Sequence, residues 1–125
     1  MNPFNAVLSL AILVASLPVG SALAQTYPSK PINLIVPASP GSAIDIRGRW
    51  IAERLTRILG QSIVVDNRAG AGGTIGTGGA AKSAPDGYTL VLVHQGTLAI
   101  APFVYPGLTY DPIADFAPVL RTGLI

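Results

Sequence analysis

Apolar positions along this chain fall into short runs and one helical stripe. Ile32, Leu34 and Val36 alternate with Asn33 and Ile35, so residues 31–36 read as a strand, and Ile35 gives it a second buried face. Pro37 and Pro40 end that strand, since proline has no N–H for a ladder. Ile44, Ile51, Leu55 and Ile58 then recur at helical spacing, with Arg47, Arg54 and Arg57 off the stripe and Trp50 beside it as an expected core filler. Ser42 and Asp45 have the spacing of a capping box, and Gly60 stands where a C-cap glycine belongs. Residues 63–65 form a second strand and residues 88–93 a third. Between them, residues 74–83 form a short helix of small residues with Ile75 as its one large apolar contact. A last apolar stretch, residues 117–125, reads as a further strand. Strand, helix, strand, helix, strand predicts an α/β chain: a parallel sheet with flanking helices and right-handed crossovers.

The first 24 residues follow a different rule. Residues 6–19 are an apolar core, Pro18 and Gly20 break it, and Ala22-Leu23-Ala24 fits small-x-small cleavage. The expectation is a secretory signal peptide over residues 1–24, with residues 25–125 forming the mature domain in the periplasm. The run is shorter than the ~20 residues a membrane span needs, so no stable membrane insertion is expected after cleavage. The n-region departs from the pattern, because residues 1–5 carry no Lys or Arg.

Composition removes several function classes. The net charge is only +2 and the Lys and Arg are scattered, so no nucleic-acid partner is expected. There is no cysteine, hence no disulfide framework and no thiolate chemistry. One His and six scattered acids form no metal-ligand spacing, and no cofactor is expected.

The candidate chemistry lies in the loops. In a parallel sheet, ligands bind outside the carboxyl ends of the strands. Residues 37–42, 67–74 and 94–97 meet there, poor in charge and rich in Gly, Ser and Thr, which suits recognition by backbone amides and hydroxyls. The candidate ligand-binding residues are Ser39, Gly41, Ser42 and Asp45 in the first loop, Gly72, Gly73 and Thr74 in the second, and Gln95, Gly96 and Thr97 in the third. Gly72, Gly73 and Thr74 would open the second helix, where N–H groups and the helix dipole favour an anion. The same glycines also suit a tight loop that packs a small helix on a sheet. Asp45 reads equally as an acid favoured by a helix N-terminus, and Thr97 as an N-cap. His94 has no acid beside it in sequence and reads as a packing or polar-rim residue.

A dinucleotide-binding enzyme domain is a weaker alternative. Gly76-Thr77-Gly78-Gly79-Ala80-Ala81 fits G-x-G-x-x-A, but the strand before it ends near Val65, and no acid lies between Gly87 and Asp111. No nucleophile–base pair or carboxylate pair stands out, so no catalytic residue is expected.

The order of residues is more specific than their composition. Asn67-Arg68, the glycines from Gly70 to Gly73, Ile75-Gly76 and Ala84-Pro85-Asp86-Gly87-Tyr88-Thr89-Leu90 are flanked by Tyr27-Pro28-Ser29-Lys30-Pro31-Ile32, Gly96-Thr97-Leu98-Ala99-Ile100, Tyr110-Asp111-Pro112 and Asp115-Phe116-Ala117-Pro118. This pattern resembles the extracytoplasmic solute receptors of the tripartite tricarboxylate transporters, the Bug receptors. The resemblance implies part of the first lobe of a two-lobed periplasmic-binding-protein (type II) fold that closes on its ligand by a hinge. It implies a periplasmic receptor, not an enzyme, whose loops hold a carboxylate of a small organic acid, partly through ordered water, and which serves membrane transporter subunits. It also makes Asp45 and Thr97 ligand-side residues and Arg68 a structural arginine at a strand end. Ala101 replaces a common Asn, and the first loop has Gly41-Ser42-Ala43 where more glycine is usual. Such receptors are much longer, so the chain reads as truncated. A non-binding relic or a partial receptor is the remaining alternative.

Overall fold

The computed structural model describes residues 26–123; the expected signal peptide, Gln25 and the last two residues lie outside them. Three strands, β1 (Ile32–Val36), β2 (Ile63–Asn67) and β3 (Thr89–Val91), form one sheet in the order β2-β1-β3. Both pairings are parallel, with Leu34 opposite Val65 on one side and Leu90 on the other. The central strand is covered on both faces, as parallel sheets require: Ile32, Leu34, Ile35 and Val36 are all buried. β2 runs two residues further than its apolar run predicts, and β3 is shorter than residues 88–93.

Helix α1 (Ala43–Leu59) follows β1. Its predicted caps are both present. Ser42 Oγ accepts the Asp45 N–H at 3.2 Å, and Gly60 takes φ +68° with its N–H on the Thr56 carbonyl. The buried face shares Ile44 and Leu55 with the predicted stripe and departs from it at Ile58. Ala52 belongs to the core cluster, with Ile44, Leu55 and Leu59 packed against it, and Gly48 is buried. Ile58 is 77% exposed and Trp50 56% exposed, with the Arg54 guanidinium 4.2 Å from the Trp50 ring centre. The reason is size. A Cβ on Gly48 would stand 2.8 Å from Val36 Cγ2, so small residues let this helix lie close to the sheet, and the bulky neighbours turn outward.

A 3₁₀ turn (Ala71–Gly73) leads into α2 (Thr74–Ala81), which ends two residues before its predicted limit. This helix buries Gly76, Thr77 and Gly78, whereas Ile75 is 60% exposed and lies against Gly70. A Cβ on Gly76 would sit 2.6 Å from the Arg68 carbonyl oxygen and 3.0 Å from Pro37 Cα. The glycines thus bring helix backbone onto the strand ends, which the large side chain of Ile75 does not allow. After β3 comes a π-helical turn (Gly96–Ile100) continued by α3 (Ala101–Val104). No strand forms over residues 117–123: Val119 and Leu120 are exposed and have no ladder partner among the described residues.

Candidate functional site

The three predicted loops do meet at the carboxyl end of the sheet, and Gly73 marks the meeting point. A Cβ at Gly73 would lie 2.9 Å from Thr97 Cγ2, 3.0 Å from the Pro37 carbonyl oxygen and 3.4 Å from His94 Nε2. One position of the second loop therefore touches both the first and the third. Backbone bonds hold the loops in register: Arg68 N–H donates to the Val36 carbonyl and Leu92 N–H to the Ile35 carbonyl, each at 2.9 Å.

Asp45 ties the first loop to the second. Its buried carboxylate accepts from Gly41 N–H (2.7 Å), Arg49 Nε (3.0 Å) and Asn67 Nδ2 (2.9 Å). Asn67 Nδ2 also reaches the Ala38 carbonyl at 3.1 Å, and its Oδ1 accepts from Arg49 Nη2 at 3.1 Å. The Arg49 hydrogen bond foremost, then the Gly41 N–H and the Asn67 amide, pull the Asp45 pKa down to about 2. Of the two roles open to Asp45, the geometry supports the positioning one, because three internal donors occupy its oxygens. Arg68 pairs with Asp66 at 2.7 Å at the end of β2 and holds that carboxyl below its usual range.

Several donors expected to face a ligand are taken up internally. Gly73 N–H goes to the Gly70 carbonyl and Thr74 N–H to the Ala71 carbonyl, which also accepts Thr74 Oγ1 at 2.9 Å. Gly96 N–H donates to His94 Nδ1 at 3.0 Å, and the buried Thr97 bonds His94 through its N–H and its hydroxyl. Ser42 Oγ caps α1. Among the described residues, no such partner engages the Ser39 hydroxyl, the Gln95 amide, or the backbone N–H of Ala71 and Gly72. Ser39, Gly72 and Gln95 are all exposed. The ten candidates thus separate into a rim that faces solvent and a frame that shapes it.

Residues 48–123 match the Tripartite tricarboxylate transporter family receptor. The chain belongs to that receptor family. Over 125 residues it is 42% identical to Protein BugT of Bordetella pertussis, covering 98% of this chain and 38% of BugT. Among solved structures it superposes on MatC from Rhodopseudomonas palustris with bound malate, at TM-score 0.71 and 39% identity, covering 74% of this chain and 32% of MatC. It also superposes on a second R. palustris protein with adipate, at TM-score 0.66 and 40% identity, covering 69% of this chain and 29% of that one. The chain spans about a third of the length of the curated relatives it matches. Family and structural neighbours together make the three-stranded parallel sheet part of a periplasmic-binding-protein lobe. The family is one of solute receptors, not of enzymes.

The receptor fold also disposes of the dinucleotide fingerprint. Gly76, Gly78 and Gly79 lie inside α2, with Gly76 and Gly78 packed on Arg68 and Thr109, and form no phosphate-binding turn after a strand. Among the described residues no group of His, Cys, Asp and Glu gathers to hold a metal, and no helix is long and apolar enough to cross a membrane. Sequence reasoning gave no site role to Arg49, Asn67 or Tyr110, although Asn67 and Tyr110 stand in the motifs that carry the resemblance. The Asp45–Arg49 spacing of four on a helix was a readable signal for the first. Asn67 and Tyr110 acquire their partners only through the fold.

Proposed function

We propose that this chain forms part of the ligand-facing wall of a periplasmic receptor for a small carboxylate-bearing organic acid. The observation that carries the reading is the convergence of three charge-poor strand-end loops on Gly73. Such a wall offers neutral donors to an anion. Ser39, the Ala71–Gly72 backbone and Gln95 supply those donors. Gly41, Ser42, Asp45, Gly73, Thr74, Gly96 and Thr97 hold them in place. Malate and adipate, each named with one structural neighbour, support acids with two carboxylates on a short carbon chain as the class. Hinge closure over the ligand and delivery to membrane transporter subunits complete the role. Export precedes it, with cleavage after Ala24 and Gln25 as the first mature residue, which N-terminal sequencing of the exported chain checks.

Calorimetric titration of a receptor carrying this segment with malate, adipate and inorganic phosphate is the direct test. Binding of a dicarboxylate is expected. Replacing both Ser39 and Gln95 by Ala weakens it by about tenfold or more, the scale of two lost hydrogen bonds. Failure of every dicarboxylate to bind, or an unchanged affinity in the double variant, defeats the reading.

A further inference from the structure

The π-helical turn that carries Gly96 and Thr97 has an unusual closure. In a π turn each carbonyl accepts from the residue five positions on. The Ala101 N–H donates to the Gly96 carbonyl in this way. The next carbonyl, that of Thr97, needs residue 102 in the same register. Residue 102 is Pro, which has no N–H. The α-helical alternative for Thr97 is the Ala101 N–H, and Gly96 already holds it. Thr97 is fully buried, so its orphaned carbonyl has no recourse to water.

Tyr110 fills the gap. Its hydroxyl donates to the Thr97 carbonyl at 2.6 Å across thirteen residues of chain. The residue is 6% exposed, and its ring stacks edge-on against Phe116 with centres 5.8 Å apart. Burial pushes the phenol above its usual range, so it stays a donor across the neutral range.

We propose that Tyr110 is a positioning residue that holds the third loop in π register by replacing the donor Pro102 lacks. Without the hydroxyl the buried Thr97 carbonyl is left without a donor, because Pro102 offers no N–H in π register and its ring would meet the Leu98 carbonyl in α register. The turn is then destabilised, and with it the placement of Gln95 and Gly96 on the rim. The consequence for binding rests on the function proposed above; the consequence for stability does not.

The test is a double-mutant cycle in a receptor carrying this segment: Tyr110→Phe, Pro102→Ala and the two together. Stability in urea and dissociation constants for malate and adipate are measured on the four forms. Tyr110→Phe is expected to lower the unfolding midpoint and to weaken binding about three- to tenfold. In the Pro102→Ala background the same change is expected to cost much less stability, because residue 102 then carries an N–H and the Thr97 carbonyl has a backbone donor in either register. A simple packing role for Tyr110 predicts equal losses in both backgrounds, and equal losses overturn the proposal. If the parent binds neither acid while the stability losses differ as expected, the dicarboxylate reading fails and the positioning role stands.

Discussion

At the scale of single residues, Asp45 shows how a fold decides between two readings of one side chain. A helix N-terminal acid and a ligand-facing acid look alike in sequence. Here three donors from two loops and a helix surround the carboxylate, and burial leaves no room for another partner to compete. Its folded pKa of about 2 lies below the ordinary 3.8, so the carboxylate stabilises the fold fully above about 3.8 and loses that contribution as pH falls through about 2. Asp45→Asn is therefore expected to be less stable than the parent near neutrality. The difference should narrow steadily as pH drops from about 4 toward about 2. Denaturant melts across that range check it, and a gap between the two proteins that is constant with pH would show that charge at Asp45 does not hold the loops.

At the scale of elements, the glycine stretch serves close packing more than open access. Gly73 sits at φ +93° with Thr97 and Pro37 where a side chain would go. A ligand approaching that face meets protein first. Gly73→Val therefore combines overpacking with an unfavourable backbone, at about 2–5 kcal/mol in all. Gly41 separates the two effects. It has φ +81° but nothing within 4 Å of its Cβ position, so Gly41→Ala should cost only the backbone part, about 1–2 kcal/mol. Urea unfolding of the two variants checks the ordering. Equal losses would mean that loop convergence at Gly73 is not tightly packed. The same logic explains α1, where Gly48 and Ala52 face the sheet and Ile58 and Trp50 do not.

At the scale of the whole molecule, the stretch from Ile100 to Leu120 keeps many large apolar side chains exposed. Phe103 is 90% exposed and Ile113 88% exposed, and Ile100, Val104, Val119 and Leu120 are exposed as well. Soluble monomers seldom leave so many large apolar side chains in water. Both outer strands of the sheet also leave an edge open among the described residues, and open edges invite pairing. The chain produced alone is expected to self-associate at tens of micromolar or above, with Phe103→Ser plus Leu120→Ser shifting it toward monomer. Light scattering across a concentration series measures this. A chain that stays monomeric throughout would show that these side chains find cover the static structure does not display.

Local rules carried the sequence a long way. The alternation of residues 31–36, the Ser42–Asp45 capping box, Gly60 as C-cap and the strand–helix order all reappear in the fold, because each depends on neighbours a few residues apart. The parallel sheet and the receptor family were legible for the same reason: period and motif order are properties of the chain itself. Which face of α1 is buried was legible at Ile44 and Leu55 but not at Gly48 and Ala52, because their part depends on how closely a helix without bulk can approach Val36. Ile75, Ile58 and Trp50 fooled the pattern because the helices approach the sheet at Gly48, Ala52 and Gly76, and the large side chains face solvent instead. The rim and the frame of the site were likewise inseparable in sequence. Whether the N–H of Gly73 or Gly96 is available depends on a carbonyl or an imidazole that the turn brings within reach, and whether the Thr97 carbonyl is satisfied depends on Tyr110 thirteen residues away. Such pairings depend on three-dimensional distance, so only the tertiary structure decides them.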